Sequence, residues 1–108
     1  MAGFDVEGLD EVIHGRLRLG IMAYLAHAEA ADFNELKKAL NATQGNLSIH
    51  LTKLAEKGFI DIDKSFAGRY PATNVRLTAA GRKAISEHWR QLDGLRAAAE
   101  TIAKDQSE

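Results

Sequence analysis

Cysteine is absent from the 108 residues, and proline occurs once, at Pro71. Without thiols the chain can form no disulfide, run no thiol catalysis and hold no thiolate-bound metal, which suits a reducing cytoplasm. No apolar run approaches the roughly 18 residues that span a bilayer, so no membrane is expected as a partner. The opening stretch, MAGFDVEGLDEV, is acidic and lacks a basic segment followed by an apolar core, so it is not expected to act as a secretion signal. Also missing are a Gly-rich phosphate loop, a nucleophile elbow and a His-Glu metal motif on a helix. The four histidines (His14, His27, His50 and His88) are scattered, and His88 beside Glu87 reads as a packing residue. No enzyme, no cofactor and no metal site is expected. A single cytoplasmic domain spanning residues 1–108 is the expectation, since this length buries a proper core without staples.

An excess of charge of one sign is lacking too, because the formal total is −1. Dividing the chain changes that picture. Residues 1–43 hold four Lys/Arg against seven Asp/Glu, and residues 84–108 three against five. Residues 44–83 hold seven (Lys53, Lys57, Lys64, Arg69, Arg76, Arg82, Lys83) against three (Glu56, Asp61, Asp63). Positive charge is concentrated mid-chain, a hint of a face that binds a polyanion.

The stretch NATQGNLSIHLTKLAEKG, residues 41–58, lies in that basic segment. With a step of 100° per residue, Leu51 and Leu54 fall within about 40° of Leu47. The opposite arc collects Gly45, Asn46, Ile49, Thr52, Lys53 and Glu56. A narrow leucine stripe is predicted to be buried, with small, polar and basic residues outward. Thr43 is the expected N-cap.

The neighbours decide what such a helix means. Leu9, Ile13, Leu17, Ile21 and Leu25 recur every four residues, predicting a first helix over residues 9–27. Asp32-Phe-Asn-Glu35 looks like a capping box, and a short second helix burying Phe33, Leu36 and Leu40 or Ala39 should follow. Two helices joined by a few residues form a helix-turn-helix, residues 32–57. Beyond Gly58, Ile60 and Ile62 alternate with Asp61 and Asp63. After a turn marked by Gly68 and Pro71, Val75 and Leu77 alternate with Asn74 and Arg76. These are two strands of a hairpin, residues 59–77. Thr78 caps a last helix over residues 78–104, where Ile85, His88, Leu92, Leu95, Ala99 and Ile102 make a short heptad seam with Trp89 alongside. The predicted fold is α+β, mainly α: a three-helix core, a two-stranded wing and a long C-terminal helix.

Together these residues resemble winged helix-turn-helix transcriptional regulators of the broad MarR/ArsR type. The resemblance rests on HGRLRLGIMAYL, FNELKKAL, TQGNLSIHLTKLAEKGFI, KSFAGRYPAT and LTAAGR, in that order, and covers about residues 9–92. It implies a homodimer on double-stranded DNA, with the third helix in the major groove and the wing at the minor groove. A pseudo-palindromic operator follows, because a dimer sets two recognition helices about one DNA turn (~34 Å) apart. The resemblance also leaves room for a small-molecule effector between the first helix and the dimer helices; no residue declares one.

Base contacts are then expected from Gln44, Asn46, Ser48, Ile49, Thr52 and Lys53, types that bond or touch base edges. Ile49 reads either as a partner for a thymine methyl or as a stray surface hydrophobe. His50, on the border of the leucine stripe, reads as half-buried packing in preference to a base contact. Backbone or minor-groove contacts are expected from Thr43, Lys64, Arg69 and Arg76. Arg69 at the hairpin tip is either the minor-groove residue or a solvated turn arginine. Asp61 and Asp63 would repel phosphates, so their face should point away from DNA. The dimer interface is expected to comprise Leu9, Ile13, Ile85, Trp89, Leu92, Leu95, Ala99 and Ile102; the alternative is a last helix folded back on its own domain. The competing function is a winged-helix module that binds protein and not DNA, which the acidic strand and near-neutral total would suit.

Overall fold

The computed structural model describes residues 6, 9–10, 12–67 and 70–106. Its elements run α1 (Arg16–Ala28), β1 (Ala30–Asp32), α2 (Phe33–Leu40), α3 (Gln44–Glu56), β2 (Ile60–Ala67), β3 (Tyr70–Leu77) and α4 (Ala79–Gln106).

The first helix begins seven residues later than its apolar period suggested, and Asp10 is the reason. Its carboxylate accepts from the Val12 amide at 2.9 Å, while its carbonyl accepts from the amides of Ile13 and His14 at 3.1 and 2.8 Å. A short acid bonded to its own backbone offers an alternative to the helix. Gly15 then enters α1 with extended backbone and no side-chain cap. From this turn Ile13 drops into the core, 0% exposed, beside Ile21, Met22 and Leu25 of α1.

The Asp32 cap of α2 forms as expected, its carboxylate accepting from the Glu35 amide at 2.7 Å. Glu35 does not reach back to complete the box; it accepts instead from the Tyr24 hydroxyl of α1 at 2.5 Å. That bond, which a tyrosinate would lose, pushes the Tyr24 phenol above its ordinary value. Only Leu36 of α2 is fully buried, with Phe33 and Leu40 half-buried and Ala39 exposed. Asn41 closes α2 in the left-handed region (φ 50°), where a short amide side chain is tolerated, and the Ala42 amide caps Lys37 at 3.0 Å. Thr43 then caps α3, so the turn between the two helices, residues 41–43, is three residues long.

The hairpin pairs β2 and β3 antiparallel from Ile60↔Leu77 to Ala67↔Tyr70. A strand absent from the sequence reading, β1, adds to the other edge of β3 (Ala30↔Arg76 to Asp32↔Asn74), giving the order β1-β3-β2. The sheet is therefore three-stranded. Three residues, Ala-Ala-Asp, are too few to show a period of two. Pro71 belongs to β3 and not to the turn. Because β1 covers only residues 74–76, β3 has one neighbour at Pro71, the kind of position a residue without an N–H tolerates.

The last helix is seated by Thr78 and two glycines. Thr78 Oγ1 accepts from the Gly81 amide (3.0 Å) and donates to the Gly58 carbonyl (2.6 Å), while its amide donates to the Phe59 carbonyl (3.0 Å). Gly58 itself takes φ +78°, a conformation that favours glycine. A Cβ on Gly81 would run into the Phe59 backbone carbonyl, so only glycine lets α4 start this close to the α3–β2 turn. Ile85 and His88 are buried at its base; beyond His88 no described residue of α4 is fully buried. At 28 residues α4 is about 42 Å long, and it stretches the molecule to 67 × 26 × 21 Å. Among the described residues no helix is long and apolar enough to cross a membrane.

This burial corrects part of the expected dimer face. Ile13 and Ile85, 0% and 2% exposed, lie in the chain's own core. Periodicity marked them as apolar but carried no information on what covers them.

Candidate nucleic-acid interface

The floor of the candidate interface is the leucine stripe of α3. Leu47, Leu51 and Leu54 are buried against the rest of the core, which fixes the helix's rotation about its axis. Gln44, Asn46, Ser48, Ile49, Thr52 and Lys53 are consequently all exposed. Ile49 is 57% exposed, one of three large hydrophobics in the open among the described residues. Removing that apolar surface from water is favourable, and only a partner outside the chain would do so. A Cβ added at Gly45 would meet nothing within 4 Å, so the first turn of α3 is open on that side.

Two threonines on this face already use part of their bonding capacity. Thr43 Oγ1 accepts from the Asn46 amide at 3.2 Å and so caps the helix, leaving its hydroxyl hydrogen for an outside acceptor. Thr52 Oγ1 donates to the Ser48 carbonyl at 2.9 Å. Outward it therefore offers oxygen lone pairs and a methyl group, a set that suits an exocyclic amine or a thymine methyl.

Between α3, the start of α2 and the hairpin lies a groove of about 420 Å³. Gln44, Ser48 and Thr52 line it from α3, Asp32 and Asn34 from the start of α2, and Lys64 and Thr73 from the strands. Lys64 shares the sheet face of Ile62, whose side chain also lines the groove. The structure thus brings Lys64 to the polar face of α3. It does not do the same for Arg76. Successive strand residues alternate faces, so Arg76, Asp61, Asp63 and Asn74 occupy the opposite side of the sheet, with Arg76 directly across from Asp61. The two aspartates lie on the sheet face away from the groove. Arg69 lies outside the described residues.

The other flank of α3 was only half legible. His50 is half-buried, and its Nδ1 lies 3.1 Å from Nη1 of Arg18 on α1. Partial burial pushes the His50 imidazole below its ordinary value, and the charges of Arg18 and Lys53 push the same way. Arg18 was not singled out in the sequence, because a partner 32 positions away leaves no local pattern.

Of the remaining expected dimer residues, Trp89 is 42% exposed. Leu9, Leu92, Leu95, Ala99 and Ile102 are half-buried, the last four along the outer part of α4. His88 from the same seam is fully buried and faces His14. Among the described residues no group of three or more His, Asp or Glu side chains could hold a metal ion.

A three-helix core with a helix-turn-helix, a small antiparallel sheet ending in a hairpin, and a long closing helix define a winged helix. Residues 17–95 match the winged helix DNA-binding domain family, and the chain belongs to that family. It is 37% identical over 78 residues to an uncharacterised protein of Methanocaldococcus jannaschii, covering 72% of this chain and 85% of that one. Among solved structures it is similar to a transcriptional regulator homologue from Pyrococcus horikoshii, at 32% identity and TM-score 0.71, over 86% of this chain and 89% of that one. A MarR-family transcriptional regulator from Silicibacter pomeroyi shares the fold, at 20% identity and TM-score 0.62, over 84% and 58% of the two chains.

Proposed function

We propose that the protein is a cytoplasmic transcriptional regulator that binds double-stranded DNA as a homodimer, at a pseudo-palindromic operator. In this reading α3 enters the major groove, Gln44, Asn46, Ser48, Ile49, Thr52 and Lys53 meet base edges, and Thr43 and Lys64 meet phosphates. The hairpin reaches the minor groove with Arg69. The observation that carries the reading is the split surface of α3: leucines sealed inward, and six hydrogen-bonding or apolar base-reading types exposed together on one side, with Lys64 across the groove. A helix of that make-up fits a major groove, which presents donors, acceptors and methyl groups on every base pair.

The outer half of α4 supports the dimer. Trp89, Leu92, Leu95, Ala99 and Ile102 extend beyond the protomer's core, and a second copy of the same helix would cover them isologously. Two recognition helices would then address half-sites one helical turn apart. Arg76, across from Asp61 on the far sheet face, contributes to a phosphate contact only if the DNA curves around the wing, so it ranks below Lys64.

Selection of duplexes from a random-sequence library tests the proposal. The expected result is an enriched pseudo-palindrome with half-site centres about 10–10.5 base pairs apart. Recovery of an unenriched pool, or of nothing, would overturn it.

A further inference from the structure

We infer that His50, held by Arg18 as its Nε2–H tautomer, is a donor to a DNA phosphate at the flank of α3, with Arg18 as its positioning residue; this rests on the DNA-facing reading of α3. A guanidinium only donates hydrogen bonds. The 3.1 Å contact from Arg18 Nη1 therefore makes His50 Nδ1 an acceptor, and the ring proton sits on Nε2. That nitrogen has no hydrogen-bond partner among the described residues, and it is not among the polar atoms sealed from solvent. It is a fixed donor open to solvent.

Its position suits an anionic oxygen. One helical turn before it stands Asn46 and one turn after it Lys53, both exposed and on the same stripe. Beside them runs a groove of about 550 Å³ lined by Val12, Arg18, Lys53, Glu56 and Lys57, three cations to one carboxylate. Arg18 is itself anchored, since Nε donates to the Val12 carbonyl at 2.5 Å. The turn ahead of α1 thereby sets where the guanidinium lies, and the guanidinium sets the imidazole.

The clamp also disfavours charging of the donor. Protonating His50 would turn Nδ1 into a second N–H pointing at the guanidinium. The groups facing the ring are Arg18 from α1 and Lys53 on its own helix, with Glu56 and Lys57 a turn further along. Burial and both nearest cations disfavour the charged ring. His50 therefore keeps its neutral donor form further into the acid range than an ordinary histidine.

Long-range proton–nitrogen correlation spectra of the free protein read the tautomer directly. The wild type should show the neutral Nε2–H pattern, persisting below the usual histidine pKa. Arg18→Met should release a tautomer mixture and raise the titration toward about 6.5. On a labelled duplex selected from a random library by the wild type, His50→Ala should lose about tenfold in affinity, the loss of one hydrogen bond to a charged group. His50→Gln, whose amide N–H reaches the same place, should stay within about threefold. Arg18→Met should make binding tighten as pH falls through about 6.5, with any such change in the wild type displaced to lower pH. An Nδ1–H pattern, or a His50→Ala affinity equal to wild type, would overturn the inference alone. A wild type that selects no duplex would overturn it together with the proposed function.

Discussion

His14 Nδ1 lies 3.2 Å from His88 Nε2, joining the turn ahead of α1 to the base of α4 across 74 positions of sequence. Their ring centroids are 5.2 Å apart and the planes tilted by 48°. His88 is 0% exposed, and its Nδ1 has no hydrogen-bond partner. If His14 donated, His88 Nδ1 would be a buried N–H without an acceptor. With His88 Nε2–H donating to His14, the orphan is a bare lone pair, the less costly of the two. His88 is neutral in that arrangement.

Acid should therefore weaken the fold. Burial pushes the His88 imidazole below its ordinary value, the neighbouring His14 ring adds to this, and Asp10 opposes it. A group with a depressed folded-state value binds fewer protons folded than unfolded, so its share of stability is whole above about pH 6.5 and declines below it. The melting temperature is expected to be flat from pH 8 to 7 and to fall from 6.5 toward 5. His88→Leu should make that fall shallower. Equal slopes in the two proteins would remove the pair from the acid response.

Two glycines on α4 should respond in opposite directions. Gly81→Ala drives a methyl group into the Phe59 carbonyl, and overpacking against backbone costs about 1–3 kcal/mol. Gly94 is exposed with open space around it, so Gly94→Ala should stabilise by roughly 0.5–1 kcal/mol through helix propensity. Urea unfolding of both variants measures the pair. A neutral Gly81→Ala would contradict the close approach of α4 to Phe59.

The outer half of α4 is expected to hold two chains together. Leu95→Glu places a charge on that seam while leaving the protomer's core untouched, so circular dichroism should be unchanged and sedimentation velocity should report one chain. A folded variant that sediments as the wild type does would return α4 to its own domain.

Ile49 separates stability from recognition. Being 57% exposed, it contributes little to folding, and Ile49→Ala should change unfolding free energy by less than about 0.5 kcal/mol. Covered by a thymine methyl, the same side chain is worth about 1 kcal/mol of binding. The variant should bind its selected duplex several-fold more weakly and lose preference at one base pair. An unaltered site preference would leave Ile49 as an ordinary surface residue.

What could be read in advance divides along a physical line. The stripe of Leu47, Leu51 and Leu54, the caps at Asp32, Thr43 and Thr78, and the alternation of Ile60, Ile62, Val75 and Leu77 are local patterns with periods of 3.6 or 2. Each survives into the structure. Contacts made across long separations leave no such trace: His14 with His88, Arg18 with His50, and the three residues of β1 against β3. Ile13 and Ile85 show the remaining gap. A heptad or four-residue period says that a side chain is apolar, yet only the packed molecule shows that its cover comes from the same chain. In the hairpin, the register puts Lys64 and Arg76 on opposite faces, since Arg76 pairs with Asp61, three residues from Lys64. Only the location of α3 shows which of those faces carries the groove.

The salt dependence of affinity for the selected duplex tests the proposed DNA-reading face of α3 most directly. The logarithm of the binding constant should fall linearly with the logarithm of salt, with a slope of about −0.9 per phosphate neutralised. Lys64→Ala should flatten it by about one phosphate per protomer, whereas Lys83→Ala on α4 should not. An affinity indifferent to salt, or a slope that Lys64→Ala leaves unchanged, would contradict the account and favour a winged helix that binds protein.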